Sequence, residues 1–257
     1  MAVRRSVSKS LGESLLAEMP ASGKKSTAAS LAERKPVGKQ PRSKAERSER
    51  LRQILDILAE RYPNPQCALD HETPFQLLVA TILSAQCTDE RVNMVTPNLF
   101  RAYPTVKSMA GANLEDVAKI IRSTGFFNNK AKNIIGAAQV VLDSFGGEVP
   151  KTMEELLTIP GAARKTANVV AGSGYGIPTG VVVDTHVQRI TRRLGLTEET
   201  NPVKIERDLM KIIPQQRWID FSHQIILHGR AICTARKPKC VECPLDHLCF
   251  AADKTPG

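Results

Sequence analysis

Four cysteines close the sequence: Cys233, Cys240, Cys243 and Cys249, in the pattern C-x6-C-x2-C-x5-C within 17 residues. So tight a spacing wraps three short loops around one point, whatever the rest of the chain does. Two disulfides would satisfy four cysteines, but disulfides belong to exported chains that need stapling. No secretory leader pattern is read at the start of these 257 residues. A tetrathiolate metal site is the better solution, and zinc and an iron–sulfur cluster both accept four thiolates. A zinc ribbon usually carries two C-x2-C knuckles, whereas only Cys240–Cys243 forms one here. Three uneven loops suit a bulky cube better than a small ion, so the reading leans to iron–sulfur. Cys67 and Cys87 stand apart in apolar surroundings and read as buried free thiols. The loop between the first two clustered cysteines carries Arg236, Lys237 and Lys239. It is either a solvated basic loop or a phosphate-contacting finger preorganised by the metal.

Charge narrows the partner. The net charge is +10, and residues 1–45 hold ten basic against three acidic residues, +7 of that total. This segment is rich in Ser, Ala and Lys and has no aromatic residue. It cannot bury enough surface to offset its chain entropy and reads as a disordered basic tail. A solvated tail, a non-specific DNA-binding arm and a transit peptide are its three readings. The net charge points to a polyanion. No apolar run approaches the ~20 residues of a membrane span, so no membrane role is expected.

Only 4% of the residues are aromatic, so a core must rest on Ala, Leu, Ile and Val, which favours helices. Apolar spacings of three and four recur from Glu46 onward. They predict helices at Phe75–Ala85, Glu90–Tyr103, Leu114–Ser123, Lys130–Phe145, Met153–Leu157, Arg164–Gly172, Thr185–Leu194, Val203–Ile213 and Trp218–His228. One strand-like run, Gly180–Val183, is too short to build a sheet. The fold class is all-α.

Pro160-Gly161 marks a tight turn between two helical patterns. Small residues at 161–163 allow close backbone approach, and a turn feeding a helix offers unpaired N–H groups to a phosphate. Arg164 and Lys165 then fall in the first helical turn, the wrong end for cations. Such a breach without compensation is expected at a functional site. The same field favours the neutral, nucleophilic amine of Lys165. Nineteen residues on, Asp184 reads as an N-cap whose carboxylate stays ionised, a fixed negative charge. His186 reads as a packed or capping histidine.

Together these pieces resemble the endonuclease III family, bifunctional DNA glycosylases and abasic-site lyases of the helix–hairpin–helix superfamily. The resemblance rests on Leu83-Ser84-Ala85-Gln86-Cys87-Thr88-Asp89, Ile159-Pro160-Gly161 through Arg164-Lys165-Thr166-Ala167-Asn168, Val183-Asp184-Thr185-His186, Leu227-His228-Gly229-Arg230 and the cysteine loop, in family order. It covers roughly Glu46 to Phe250. It implies a two-domain helix–hairpin–helix DNA glycosylase fold with a C-terminal iron–sulfur cluster loop. The implied parts are a six-helix domain at 67–178 and a cluster domain from 46–66 plus 179–257, beside the tail at 1–45. It implies that Lys165 and Asp184 are catalytic and that Cys233, Cys240, Cys243 and Cys249 hold one [4Fe-4S] cluster. It further implies that Gln86 fills the gap left by an extruded base and that Phe126 wedges the stack. Gly161, Ala163, Arg164, Arg236, Lys237 and Lys239 would meet the DNA backbone.

The implied activity is excision of damaged pyrimidines from double-stranded DNA, followed by nicking at the abasic site through a lysine Schiff base, by a monomer. The implied location is cytoplasmic and nucleoid-associated in a bacterium, nuclear or mitochondrial otherwise. Two departures stand out. Ala163 replaces the family's second hairpin glycine, and the Lys165–Asp184 segment is about one residue longer than the pattern. Two rivals are a related adenine glycosylase, which lacks a lysine at position 165, and a catalytically silent DNA-binding module.

Overall fold

A computed structural model describes residues 40–255, and among these eleven α-helices and no strand are found. They are α1 Lys44–Arg61, α2 Pro74–Leu83, α3 Asp89–Ala102, α4 Val106–Ala110, α5 Leu114–Ile120, α6 Phe127–Phe145, α7 Met153–Leu156, α8 Arg164–Val169, α9 Thr185–Arg193, α10 Pro202–Ile212 and α11 Trp218–Ala231. The basic tail expected at 1–45 lies, through residue 39, outside the described residues. Its last residues belong to the fold. Ser43 caps α1 by accepting from Glu46 N at 3.1 Å, while the Glu46 carboxylate accepts from Ser43 N at 3.0 Å. This reciprocal box starts the helix at Lys44, ahead of the first apolar position.

Side chains of α2 to α8 close around one apolar core, in which Leu77, Leu78, Leu83 and Ile134 are fully buried. A second core takes Ile54 and Leu58 from α1, Val187 and Ile190 from α9, Phe221 and Ile225 from α11, and packs against Cys233, Cys243 and Cys249. The segment joining α8 to α9 serves both: Val182 enters the first core, and Val181 and Val183 enter the second. Alternation with a period of two is what an extended backbone gives. The strand-like run is therefore extended but has no sheet partner. Its Val182 N–H donates instead to Ser222 Oγ at 3.0 Å, which satisfies a buried donor that a sheet would otherwise have paired.

Candidate DNA-repair site

The turn before α8 is built by Ile159, Pro160, Gly161 and Ala162, with Ala162 N donating to Ile159 O at 3.0 Å. Proline at the second position and φ +79° at Gly161 give the type II geometry. A Cβ on Gly161 would also come within 3.0 Å of Asn133 Cβ in α6, so the position requires glycine. Ala163 does not have that requirement. At φ −73°, ψ 169° it is ordinary extended backbone, and the departure from a second glycine carries no backbone strain. It gives α8 no side-chain cap, so among the described residues no side chain accepts from the first N–H groups of the helix.

Arg164 corrects the expectation of an uncompensated cation. Its Nε donates to Glu206 Oε2 at 2.5 Å, and Glu206, only 4% exposed, also accepts from Asn168 Nδ2 at 2.8 Å. A buried carboxylate thus holds the start of α8 through two of its side chains. Lys165, the next residue, is exposed and makes no hydrogen bond or ion pair among the described residues. Its electrostatic neighbour is the half-buried Cys67, whose thiol is pushed up by burial, with the Lys165 charge opposing part of that rise. Cys67 and Cys87 are half-buried rather than buried, each packed against the first core.

Asp184 caps α9, Oδ1 accepting from Val187 N at 2.8 Å, and its other carboxylate oxygen has no hydrogen bond among the described residues. The approach to it is held from α8 and α11. Thr179 Oγ1 donates to Asn168 Oδ1 at 2.9 Å, and Ser222 Oγ takes the Val182 N–H. Lys165 and Asp184 thus stand at the starts of consecutive helices, joined by a strap that Asn168 and Ser222 tie down. They make no direct hydrogen bond with each other. His186 packs on α11, where a Cβ on Gly229 would approach its Nδ1 to 2.5 Å. Burial lowers the pKa of His186, Asp184 partly opposes that, and Arg189 Nη2 lies 3.2 Å from its Nδ1.

Gln86 and Phe126 share an unusual backbone. With Asn64 they are the three non-glycine residues at positive φ among those described, at 54° and 48°. Such a conformation costs about 1–3 kcal/mol and persists where the surroundings over-determine it. Both side chains are exposed, Phe126 to 64%. Nothing in the sequence pattern signals the strain.

The four clustered cysteines are free, half-buried and line one small cavity with Arg193, Lys239 and Lys254. Burial pushes Cys243 up to about 12, and the neighbouring Cys233 and Cys249 add to the rise. A lone thiolate is costly there, and the positive charge of bound iron would remove that cost. Four free thiols around one cavity are a donor set that fits a four-cysteine iron–sulfur cluster. Donors that the spacing did not reveal fasten this loop. Arg193 Nη1 lies 3.3 Å from Cys233 Sγ and donates to Thr234 O at 2.7 Å, Arg189 Nη2 donates to Cys233 O at 2.9 Å, and Arg50 Nε donates to Leu248 O at 2.9 Å. Between the first two ligands Pro238 is buried while Arg236, Lys237 and Lys239 are exposed and carry no ion pair among the described residues. Beside them Arg230 pairs with Asp89 and so links the end of α11 to the start of α3.

Residues 79–215 match the HhH-GPD superfamily of base excision DNA repair proteins, and residues 233–249 match the iron–sulfur binding domain of endonuclease III. The endonuclease III of Synechocystis sp. is 59% identical over 211 residues, spanning 82% of this chain and 96% of that protein. Two solved structures, a non-covalent endonuclease III–DNA complex and a trapped covalent endonuclease III–DNA intermediate, each superpose with TM-score 0.75 at 43% identity. Each match covers 79% of this chain and 95% of the other.

Proposed function

The chain belongs to the endonuclease III family of DNA glycosylases with abasic-site lyase activity, and from that premise we propose that Lys165 and Asp184 carry its chemistry. It is a base excision repair enzyme that binds DNA and holds one [4Fe-4S] cluster. The residues proposed to ligate the cluster are Cys233, Cys240, Cys243 and Cys249, and its proposed part is to brace the loop that carries Arg236, Lys237 and Lys239.

The observation that carries the reading is the contrast between two adjacent cations at one uncapped helix start: Arg164 is tied to Glu206, while Lys165 makes no hydrogen bond or ion pair among the described residues. A free amine beside a helix N-terminus is a usable nucleophile. The substrate proposed is a duplex with an oxidised pyrimidine or an abasic site. The damaged nucleotide leaves the stack at a cost lowered by its weakened stacking. Phe126 wedges the opened step and Gln86 occupies the vacated space. The Lys165 Nζ lone pair forms a bond to C1′ as the N-glycosidic bond breaks and its electron pair departs with the base. The unoccupied oxygen of Asp184 stabilises the positive charge that develops at the sugar. Ring opening gives the Schiff base, which acidifies a 2′ proton; its loss expels the 3′ phosphate and cuts the strand.

Phosphates are proposed to meet the amides at Gly161 and Ala163 and the three loop cations. Arg164 is proposed to act with them chiefly by holding α8 in place, since its guanidinium is already engaged. The two cores support a division into 67–178 and 46–66 plus 179–257, with the duplex lying across the groove between them. The chain is proposed to act as a monomer at the nucleoid. No helix of the described residues is long and apolar enough to cross a membrane. The test is single-turnover base release from an oxidised-pyrimidine duplex. Asp184→Asn should slow release by roughly 10²–10³-fold with little loss of binding. Release at the wild-type rate would remove Asp184 from the mechanism.

A further inference from the structure

Lys130, on the first turn of α6, is only 5% exposed. Lysine is almost never so buried without a partner, yet among the described residues no carboxylate pairs with this one. Its Nζ donates to Leu83 O at 2.8 Å and to Thr124 O at 2.7 Å. Leu83 is the last residue of α2, and Thr124 is the last residue of the 3-10 turn Arg122–Thr124. Both carbonyls therefore belong to helix ends, which leave acceptors unpaired and favour a cation. Gln86 lies three residues beyond Leu83, and Phe126 two beyond Thr124. Each is held in the left-handed region, a strain that survives only under outside constraint. A single ammonium ties together the roots of both strained tips.

We propose that Lys130 is a positioning residue for base extrusion, its ammonium fixing the separation of Gln86 and Phe126 so that wedge and gap-filler enter the duplex together. This rests on the roles proposed above for those two tips. Lys130 touches no DNA, sugar or base. It acts through the two carbonyls alone. Burial lowers its pKa, and the neighbouring Cys87 opposes part of that shift.

The experiment uses the full chain with its cluster and a duplex carrying 2-aminopurine beside an oxidised pyrimidine. It records the fluorescence rise on unstacking and base release in a single turnover. Lys130→Met should slow both by roughly 10- to 100-fold on the fully paired duplex. With the same lesion in a short mismatched bubble, already unstacked, release should fall less than about threefold. Lys130→Arg, which keeps donors for both carbonyls, should recover most of the paired rate. A folded, iron-loaded Lys130→Met with wild-type fluorescence, or one impaired equally on paired and bubble substrates, overturns the proposal. If Lys130→Met does not fold, Lys130→Gln carries the test: an unchanged paired-to-bubble ratio overturns it, and a lowered ratio supports it. Gln86→Ala and Phe126→Ala run in parallel. If neither slows extrusion, the reading of the tips fails and the clamp with it. If both slow it and Lys130→Met does not, the clamp alone fails.

Discussion

Two adjacent basic residues do different work here, and a contact 42 residues away decides which does what. Arg164 neutralises the buried carboxylate of Glu206, while Lys165 has no hydrogen bond or ion pair among the described residues. Removing either should separate stability from chemistry. Arg164→Ala leaves a buried carboxylate with Asn168 as its remaining partner and should cost about 1–3 kcal/mol of stability. Lys165→Ala, at an exposed position, should cost under about 0.5 kcal/mol. Denaturant melts of the two variants check this, and an equal loss in both would contradict it. At this scale the sequence singles out Lys165, Asp184 and the four cysteines, because each sits in a short motif with its own chemical logic, and their roles stand as proposals. The sequence does not single out Glu206, Ser222, Arg193 or Lys130. Their partners lie far along the chain, and a buried charge reads in sequence like a surface one.

The helices themselves were legible from apolar spacing, and their ends were not. The α6 start at Phe127 was missed because Phe126 enters it from the left-handed region without a Ser, Thr, Asp or Asn cap to announce it. The five-residue α4 is too short to show a period. The long pattern at 164–172 divides into α8 and a π-helical turn, Val170–Gly174, of the kind often found near functional sites. Two expectations belong to these elements. Gly229→Ala would drive a methyl into His186 and Ile190, so α9 must shift away from α11. That should cost about 1–3 kcal/mol and slow base release by moving Asp184. An unaltered melt and rate would mean that the α9–α11 approach is looser than the geometry indicates. His223 lies 3.0 Å from Ser173 Oγ in the π-helical turn. Burial pushes its pKa below the ordinary 6.5, with Asp220 pulling part of the shift back. The unfolded chain then binds this proton more readily than the folded one. The stability tied to neutral His223 is fully present above the unfolded value and is lost as pH falls through the folded value. His223→Gln should flatten the decline in denaturation midpoint below pH about 6.5; an identical decline in both proteins would contradict that assignment.

For the whole molecule, the all-α class and the cluster loop follow from composition and cysteine spacing, but the strap between the cores does not. Val181, Val182 and Val183 read as a stray strand, and only the fold reveals that they alternate between two cores and carry Asp184 to its helix. The fastening of the cluster loop by Arg50, Arg189 and Arg193 is likewise a tertiary fact. Cys240→Ser should lose iron and the broad visible absorption of the cluster. It should also weaken DNA binding by loosening the loop of Arg236, Lys237 and Lys239; iron content and binding across a salt series report both. Full iron and wild-type affinity would remove Cys240 from the ligand set. The +7 of residues 1–45 predicts a separate effect. Deleting them should reduce the log–log salt slope by about 0.9 for each phosphate they had engaged, on damaged and undamaged duplex alike. A selective loss of damaged-site binding would mean that the segment reads the lesion.

The central claim is that the lysine at the uncapped start of α8 forms the covalent intermediate. Borohydride reduction during turnover of an abasic duplex, followed by proteolysis and mass mapping of the crosslinked peptide, tests it most directly. The account predicts an adduct on Lys165, and a Lys165→Ala protein that binds the same duplex yet yields neither adduct nor nick. An adduct on another amine, or a folded Lys165→Ala protein that still nicks at the wild-type rate, would contradict it.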